Sequence, residues 1–140
     1  MLEKGKKYPP NGFRVCIDNR EGDISGKAYS PLEAHAISYH GFNDLILAMD
    51  RIFDKNGYPQ AFQEKRSFSE EKAVAPYHGI PAVTVESAYI YEKEGKLFTV
   101  DVIVESRRNA SWQGHVYLTD GTKIGSFQGE LELLQILLKY

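Results

Sequence analysis

Phe13-Arg-Val-Cys-Ile17 opens a series of short segments that the chain repeats near its end. It is followed by Gly26-Lys-Ala-Tyr29, Ile37-Ser-Tyr-His-Gly41 and Leu45-Ile-Leu. The later series reads Phe98-Thr-Val-Asp-Val102, Gly114-His-Val-Tyr117, Ile124-Gly-Ser-Phe-Gln-Gly129 and Leu133-Leu-Gln. In both series the two glycines stand 15 residues apart. The correspondence predicts two internal units of similar structure, about residues 13–53 and 98–140.

The first unit changes its apolar period partway along. Phe13, Val15 and Ile17 alternate with polar or small residues, which is typical of a strand with one buried face. After residue 43 the apolar residues recur at helical intervals, with Asn43 or Asp44 as the expected cap of the first turn. The predicted elements are strands at residues 13–17, 24–30 and 36–40 and a helix at residues 44–53.

The second unit has the same predicted order. Asp120-Gly121 is a strong hairpin signal between its second and third strands. The predicted elements are strands at residues 97–105, 112–118 and 124–127 and a helix at residues 130–140, preceded by a further strand within residues 83–91. We therefore predict a single α+β domain over residues 1–140, with two pseudo-symmetric β-β-β-α units and antiparallel sheet or sheets backed by two helices.

Residues 54–82 have no counterpart in the repeat and predict an irregular connector. Loops of this length are uncommon in compact domains unless they bind something or move. Two interpretations stay open: a wrap over one edge of the sheet, or a functional loop with a histidine or carboxylate site near Tyr77 and His78.

The closing helix is apolar on most sides, so it needs more than one packing partner. One partner is the sheet. The other is either the helix of the first unit or a second copy of the chain, in a homodimer through Leu131, Leu134 and Leu138.

Composition excludes several classes of protein. The chain is 42% hydrophobic and 26% charged, unlike disordered proteins, and its net charge of −2 gives no field that would gather phosphates. Nucleic-acid binding is therefore disfavoured. No apolar run reaches the length of a bilayer, and the first residues lack the apolar core of a signal peptide, so we expect a cytoplasmic protein without membrane contact.

The sequence contains none of the common catalytic or phosphate-binding motifs, such as Gly-x-Ser-x-Gly or Gly-x-Gly-x-x-Gly. Cys16 is the only thiol, and its place in the middle of a strand favours a packing role over a nucleophile. His35 and His40 do not have the helical spacing of two metal ligands. We expect no metal, no cofactor and, on balance, no enzyme.

The best candidate for a binding patch is the group Trp112, Arg107, Arg108 and Gln113, which supplies stacking and hydrogen-bonding side chains on one hairpin. The alternative is that Trp112 fills the core. The leading hypothesis is a non-catalytic module that binds a protein or small molecule at this patch or in the cleft between the units. The alternatives are a small enzyme with its site near His78 and a weak binder of single-stranded nucleic acid.

Two groups of segments carry a resemblance. Gly57-Tyr-Pro-Gln-Ala61 and Arg66-Ser-Phe68 form one group, and Asn109-Ala-Ser-Trp-Gln-Gly114, Ser126-Phe127 and Leu131-Glu-Leu-Leu134 form the other. They resemble signature segments of a family of small uncharacterised proteins from clostridia-like Gram-positive bacteria. The resemblance implies a bacterial, intracellular setting and transfers no activity or catalytic residue.

Overall fold

The computed structural model describes residues 6–59, 61–62 and 83–140. Its centre is a six-stranded antiparallel sheet in the order β3-β2-β1-β5-β6-β7, to which β4 adds a two-residue parallel pair at the end of β5. With three helices in these described ranges, the fold is α+β, as predicted. The strands are β1 (Gly12–Asn19), β2 (Ser25–Ser30), β3 (Glu33–His40), β4 (Ala61–Phe62), β5 (Phe98–Arg108), β6 (Gln113–Leu118) and β7 (Lys123–Phe127), and the helices are α1 (Phe42–Asn56), α2 (Ser87–Tyr91) and α3 (Glu130–Lys139).

The central pair, β1 and β5, divides its side chains between two faces of the sheet. Phe13 lies opposite Val102 and Val15 lies opposite Val100, and all four are fully buried in the main apolar core. Because successive strand residues point to opposite faces, the intervening Arg14 points to the other side. The core lies on the first face, where α1 packs mainly against β3 and α3 packs against β7 and β6.

Side chains from the turn between β1 and β2 complete the start of α1 and the end of α3. The N-cap of α1 is Gly41, which has no side chain to offer, and the carboxylate of Asp23 accepts a hydrogen bond from the Phe42 amide at 3.1 Å. Neither Asn43 nor Asp44 is the N-cap, so that prediction was wrong. At the other helix, Arg20 donates to the Leu137 carbonyl at 3.1 Å, placing a positive charge where the dipole of α3 favours it.

The two units run through the same order of elements, three strands and then a helix. Gly26 and Gly114 lie on the second strand of their units, and Gly41 and Gly129 are the N-caps of α1 and α3. At Gly26 a Cβ would overlap the Cys16 carbonyl oxygen, and at Gly114 it would overlap that of Ile103. Both glycines therefore allow a neighbouring strand to approach closely. The symmetry of the two units in space stays a prediction.

The region before β5 differs from its prediction. Residues 87–91 form the short helix α2, whereas the sequence predicted a strand within residues 83–91. Tyr89 and Tyr91 alternate as they would on one face of a strand. In the structure, however, the consecutive residues Ile90 and Tyr91 are buried together against Tyr8. In the predicted connector, α1 continues to Asn56, and residues 61–62 pair with the end of β5.

The second face of the sheet holds a buried ionic network. Arg14 and Asp101, opposite each other on β1 and β5, form a two-pronged ion pair with N···O distances of 2.9 and 2.8 Å. The Arg14 guanidinium also donates to the Tyr91 carbonyl at 2.8 Å, and the Tyr8 hydroxyl donates to Asp101. Burial, followed by the Asp101 charge, raises the pKa of Tyr8 well above its usual value. The network thus fastens residue 8 and α2 to the sheet.

Replacing Arg14 by alanine should destabilise the protein strongly, because Asp101 would be left buried without its cationic partner. The expected loss in free energy of unfolding is about 3–5 kcal/mol, measured by urea denaturation followed by circular dichroism. The control is the Arg14→Met/Asp101→Leu double variant, which removes both charges and should recover much of the loss. A single variant as stable as the parent chain would show that the pair is not needed.

Candidate functional site

Trp112, the centre of the predicted binding patch, is a core residue. Its side chain is 1% exposed, and its ring meets those of Phe13 and Phe53 edge to face, with centroids 5.9 and 5.8 Å apart. The indole N–H donates to Asp50 of α1 at 3.0 Å. Trp112, which directly precedes β6, therefore packs β6 against α1 and offers no ring face for a partner to stack on, as the core alternative expects.

Arg107 is buried beside it and has internal partners. The guanidinium donates to the Pro59 carbonyl at 2.6 Å and forms ion pairs with Asp50 and Asp54 at 3.0 and 2.7 Å. It also lies over the Phe53 ring, 5.6 Å from the centroid. These contacts close the C-terminal end of α1 onto β5. The sequence-based reason to expect single-stranded nucleic-acid binding at this hairpin loses its support, because the Trp112 ring and Arg107 are both buried.

The other residues of the predicted patch have separate positions. Gln113 locks the turn between β5 and β6: its side-chain oxygen accepts from the Ser106 hydroxyl and the Arg108 amide, while its nitrogen donates to the Ser111 carbonyl. Arg108 is exposed. Tyr77 and His78 lie outside the described residues, as does the enzyme site predicted near them.

The structure instead places a groove where the two units meet. It has a volume of about 260 Å³. One wall comes from the β1–β2 turn and the start of α1, and the other comes from α3. The α1–α3 groove, as we call it, is lined by Gly22, Asp23, Phe42, Asn43, Leu134 and Leu138.

An apolar row on α3 borders this groove. Leu133 and Leu137 are fully buried against the sheet. Leu131 and Leu138 are 69% and 49% exposed, and Leu134 between them is partly buried. Residues at this three-, four- and seven-residue spacing share one side of a helix. We call Leu131, Leu134 and Leu138 the outer leucine row. It comprises the three residues predicted to form a homodimer.

A histidine, a serine and a glutamate meet on the second face of the sheet. His115 Nδ1 is 2.8 Å from the Ser126 hydroxyl, and His115 Nε2 is 3.0 Å from a Glu105 carboxylate oxygen. This order of groups can activate a serine nucleophile. Here, however, Ser126 is exposed and Glu105 is 59% exposed, so a reacting group would remain in water, where hydrogen bonds stabilise a transition state far less. His115 and Ser126 are directly opposite in register, and the contacts join β6 to β7.

Cys16 has the environment of a packing residue. It is 3% exposed, and burial raises the pKa of its thiol to about 12. A nucleophilic cysteine needs the opposite shift, because the thiolate is the reactive form. Among residues 6–59 and 83–140, no three histidine, cysteine or carboxylate side chains gather where they would hold a metal ion. No helix within these ranges is long and apolar enough to span a membrane.

Sequence reasoning did not identify the groove residues of the first unit. Asp23 and Phe42 show no local pattern that indicates a groove, because the contact between the β1–β2 turn and α3 joins residues more than 100 positions apart. The only available signal was the surplus of leucines on the closing helix, which showed that a second contact was needed but not where.

Comparison with protein-family models, curated proteins and solved structures finds no match for this chain. The resemblance to a clostridial family stays a prediction.

Replacing Asp50 by alanine should weaken the contact between α1 and β6. The indole N–H of Trp112 would lose its acceptor, at a cost of about 1–3 kcal/mol in the free energy of unfolding. Since the chain has one tryptophan, its fluorescence emission reports the change directly. Asp54→Ala is the matched control: it removes a contact of Arg107 only, so the emission spectrum should stay that of the parent chain. Equal spectral shifts in both variants would contradict the assignment.

Cys16 should resist thiol reagents in the folded protein. An unfolded thiol has a pKa of ~8.5, whereas burial raises the pKa of the Cys16 thiol to about 12. The contribution of the protonated thiol to the free energy of unfolding is therefore complete below the pKa of the unfolded state. It is lost as the pH rises towards the pKa of the folded state. At about pH 8, Ellman's reagent should react slowly with the native chain and rapidly in guanidinium chloride. Rapid labelling of native protein would show that the thiol is accessible and ionised.

Proposed function

We propose that the protein is a non-catalytic binding module that holds a protein partner through the α1–α3 groove and the outer leucine row. The observation that carries the proposal is the exposure of Leu131 and Leu138 on the same side of a helix whose opposite side is fully buried. Single exposed leucines are ordinary, but a row of them beside a groove removes apolar surface from water when a partner covers it.

The size of the groove favours a side chain of a protein over a free metabolite. Pockets for drug-sized ligands usually measure ~300–1,000 Å³, and the α1–α3 groove, at about 260 Å³, is smaller and open along α3. Its apolar wall, made by Phe42, Leu134 and Leu138, suits one branched aliphatic or aromatic side chain. The rest of the partner would lie along the outer leucine row.

The carboxylate of Asp23 has a role in forming the groove rather than in chemistry. One of its oxygens accepts from the amides of Ile24 and Phe42, at 2.7 and 3.1 Å. These bonds hold the β1–β2 turn against the start of α1 and fix one wall of the groove. A partner would therefore meet a preformed surface, which lowers the entropic cost of binding. A second copy of the chain, in the homodimer that the leucines predict, is one partner that fits.

Leu138→Asp should reduce the capture of partners by a tagged bait by about tenfold or more, the equivalent of roughly 1.4 kcal/mol. The measurement is quantitative mass spectrometry of proteins retained from a lysate of the source cells. Leu97→Asp is the matched control: Leu97 is 51% exposed and precedes β5, away from α3 in sequence and outside the groove lining. Circular dichroism should show that both variants are folded. Capture that is equal for the parent chain and Leu138→Asp would refute the proposed surface.

A further inference from the structure

We infer that the partner of the outer leucine row is a second copy of this chain, with α3 packed antiparallel against α3 of the second copy. The inference rests on the proposed function and names its partner. A twofold axis near the middle of α3 would place Leu131 of each copy beside Leu138 of the other, with the two Leu134 side chains close to the axis. This arrangement is an isologous interface, in which one patch pairs with itself.

The charges of α3 favour this pairing over a parallel one. Its first turn is acidic, with Glu130 and Glu132, and its last turn carries Lys139. Glu132 and Lys139 are seven residues apart, so they lie on the same flank of the helix, about 100° around it from Leu131 and Leu138. In an antiparallel pair, Glu132 of one copy would face Lys139 of the other, twice. A parallel pair would instead place like charges together at both ends.

Both charged groups are able to form this ion pair. One Glu132 oxygen accepts from the Gln128 amide at 2.7 Å, and that bond holds the side chain at the first turn while the carboxylate has a second oxygen to offer. Lys139 is exposed, with its amino group 5.9 Å from the Tyr140 ring centroid. The expected ion pairs are at the rim of the interface, so they would select the orientation more than they would add affinity.

The α1–α3 groove would receive Leu131 of the second copy. Leu131 is the most exposed large apolar residue among the described ranges, and the groove beside Leu138 is lined by Phe42 and Leu134. The groove and the protruding leucine thus belong to the same surface, and each copy would supply both. A helix of ten residues is only ~15 Å long, so the interface is below the standard size and the dimer is expected to be weak.

Sedimentation equilibrium of the full chain, over concentrations up to about 1 mM, tests the inference. We expect the average mass to rise towards twice the monomer mass as concentration increases. Leu131→Asp should weaken dimerisation by at least about tenfold, and Leu97→Asp should leave it unchanged. Because Leu131 is 69% exposed, its replacement removes no core contact and the variant should remain folded. A parent chain that is monomeric throughout, or a dimer unaffected by Leu131→Asp, would overturn the inference.

Charge-reversed variants test the antiparallel orientation. Lys139→Glu and Glu132→Lys, each alone, would place like charges together across the interface, so both should dimerise more weakly than the parent chain. Mixed in equal amounts, the two variants would restore opposite charges at both contacts, and native mass spectrometry should show the mixed dimer in excess over either homodimer. Damage to the helix by either substitution would not be repaired by mixing. A parallel pair already has like charges at both ends in the parent chain, so it would not be weakened by either variant alone. Variants that dimerise as strongly as the parent chain, or a statistical distribution of the three dimers, would overturn the antiparallel pairing.

The two proposals fail in different ways. If the parent chain is monomeric and Leu138→Asp still abolishes capture of other proteins, the binding surface stands and the second copy is not its occupant. If neither Leu131→Asp nor Leu138→Asp changes mass or capture, both the surface and its occupant are wrong.

Discussion

The pairing of β1 with β5 is the contact on which the rest of the structure depends. These strands come from the two units, and their six paired positions, from Gly12 opposite Ile103 to Ile17 opposite Phe98, join the halves of the sheet. The pairing aligns the apolar side chains of both strands on one face, where α1 and α3 cover them. It also sets Arg14 opposite Asp101 on the other face. A shift of one residue would reverse both faces at once.

The position of the groove follows from this arrangement. Because the central strands belong to different units, each unit extends outward from the middle of the sheet, and each carries its helix with it. The two helices share one apolar core, but the turn before β2 and the side of α3 are left with a gap between them. On the closing helix Leu131 and Leu138 stay exposed, while Leu134 between them is partly buried against the core. The groove therefore lies at the junction of the units and not on the hairpin that carries Trp112.

Much of the fold was readable because it depends on local patterns. The alternation in β1 and β5, the Asp120-Gly121 turn and the helical spacing after residue 43 each act over a few residues, and each predicted its element correctly. Errors arose where distant contacts override local preference. Tyr89 and Tyr91 looked like strand residues, but α2 is held by Tyr8 and Arg14, which lie more than 70 positions earlier in the chain.

The candidate site shows the same division. An exposed tryptophan and a buried one have identical local sequence, and only the contacts of Trp112 with Phe13, Phe53 and Asp50 place it in the core. Leucine spacing on α3 showed that an outer row exists, yet its groove needed Phe42 and Asp23, which periodicity alone does not select. Sequence thus predicted one side of the surface, and the fold supplied the other.

The close approach of backbone at Gly26 and Gly114 has a consequence for how this fold changes over evolutionary time. The Cβ atom of any other residue there would overlap a carbonyl oxygen of the adjacent strand, so backbone geometry prevents substitution at these two sites. Exposed positions carry no such restriction. We therefore expect sequence change in this fold to spare the spacing of these glycines before it spares the exposed leucines of α3.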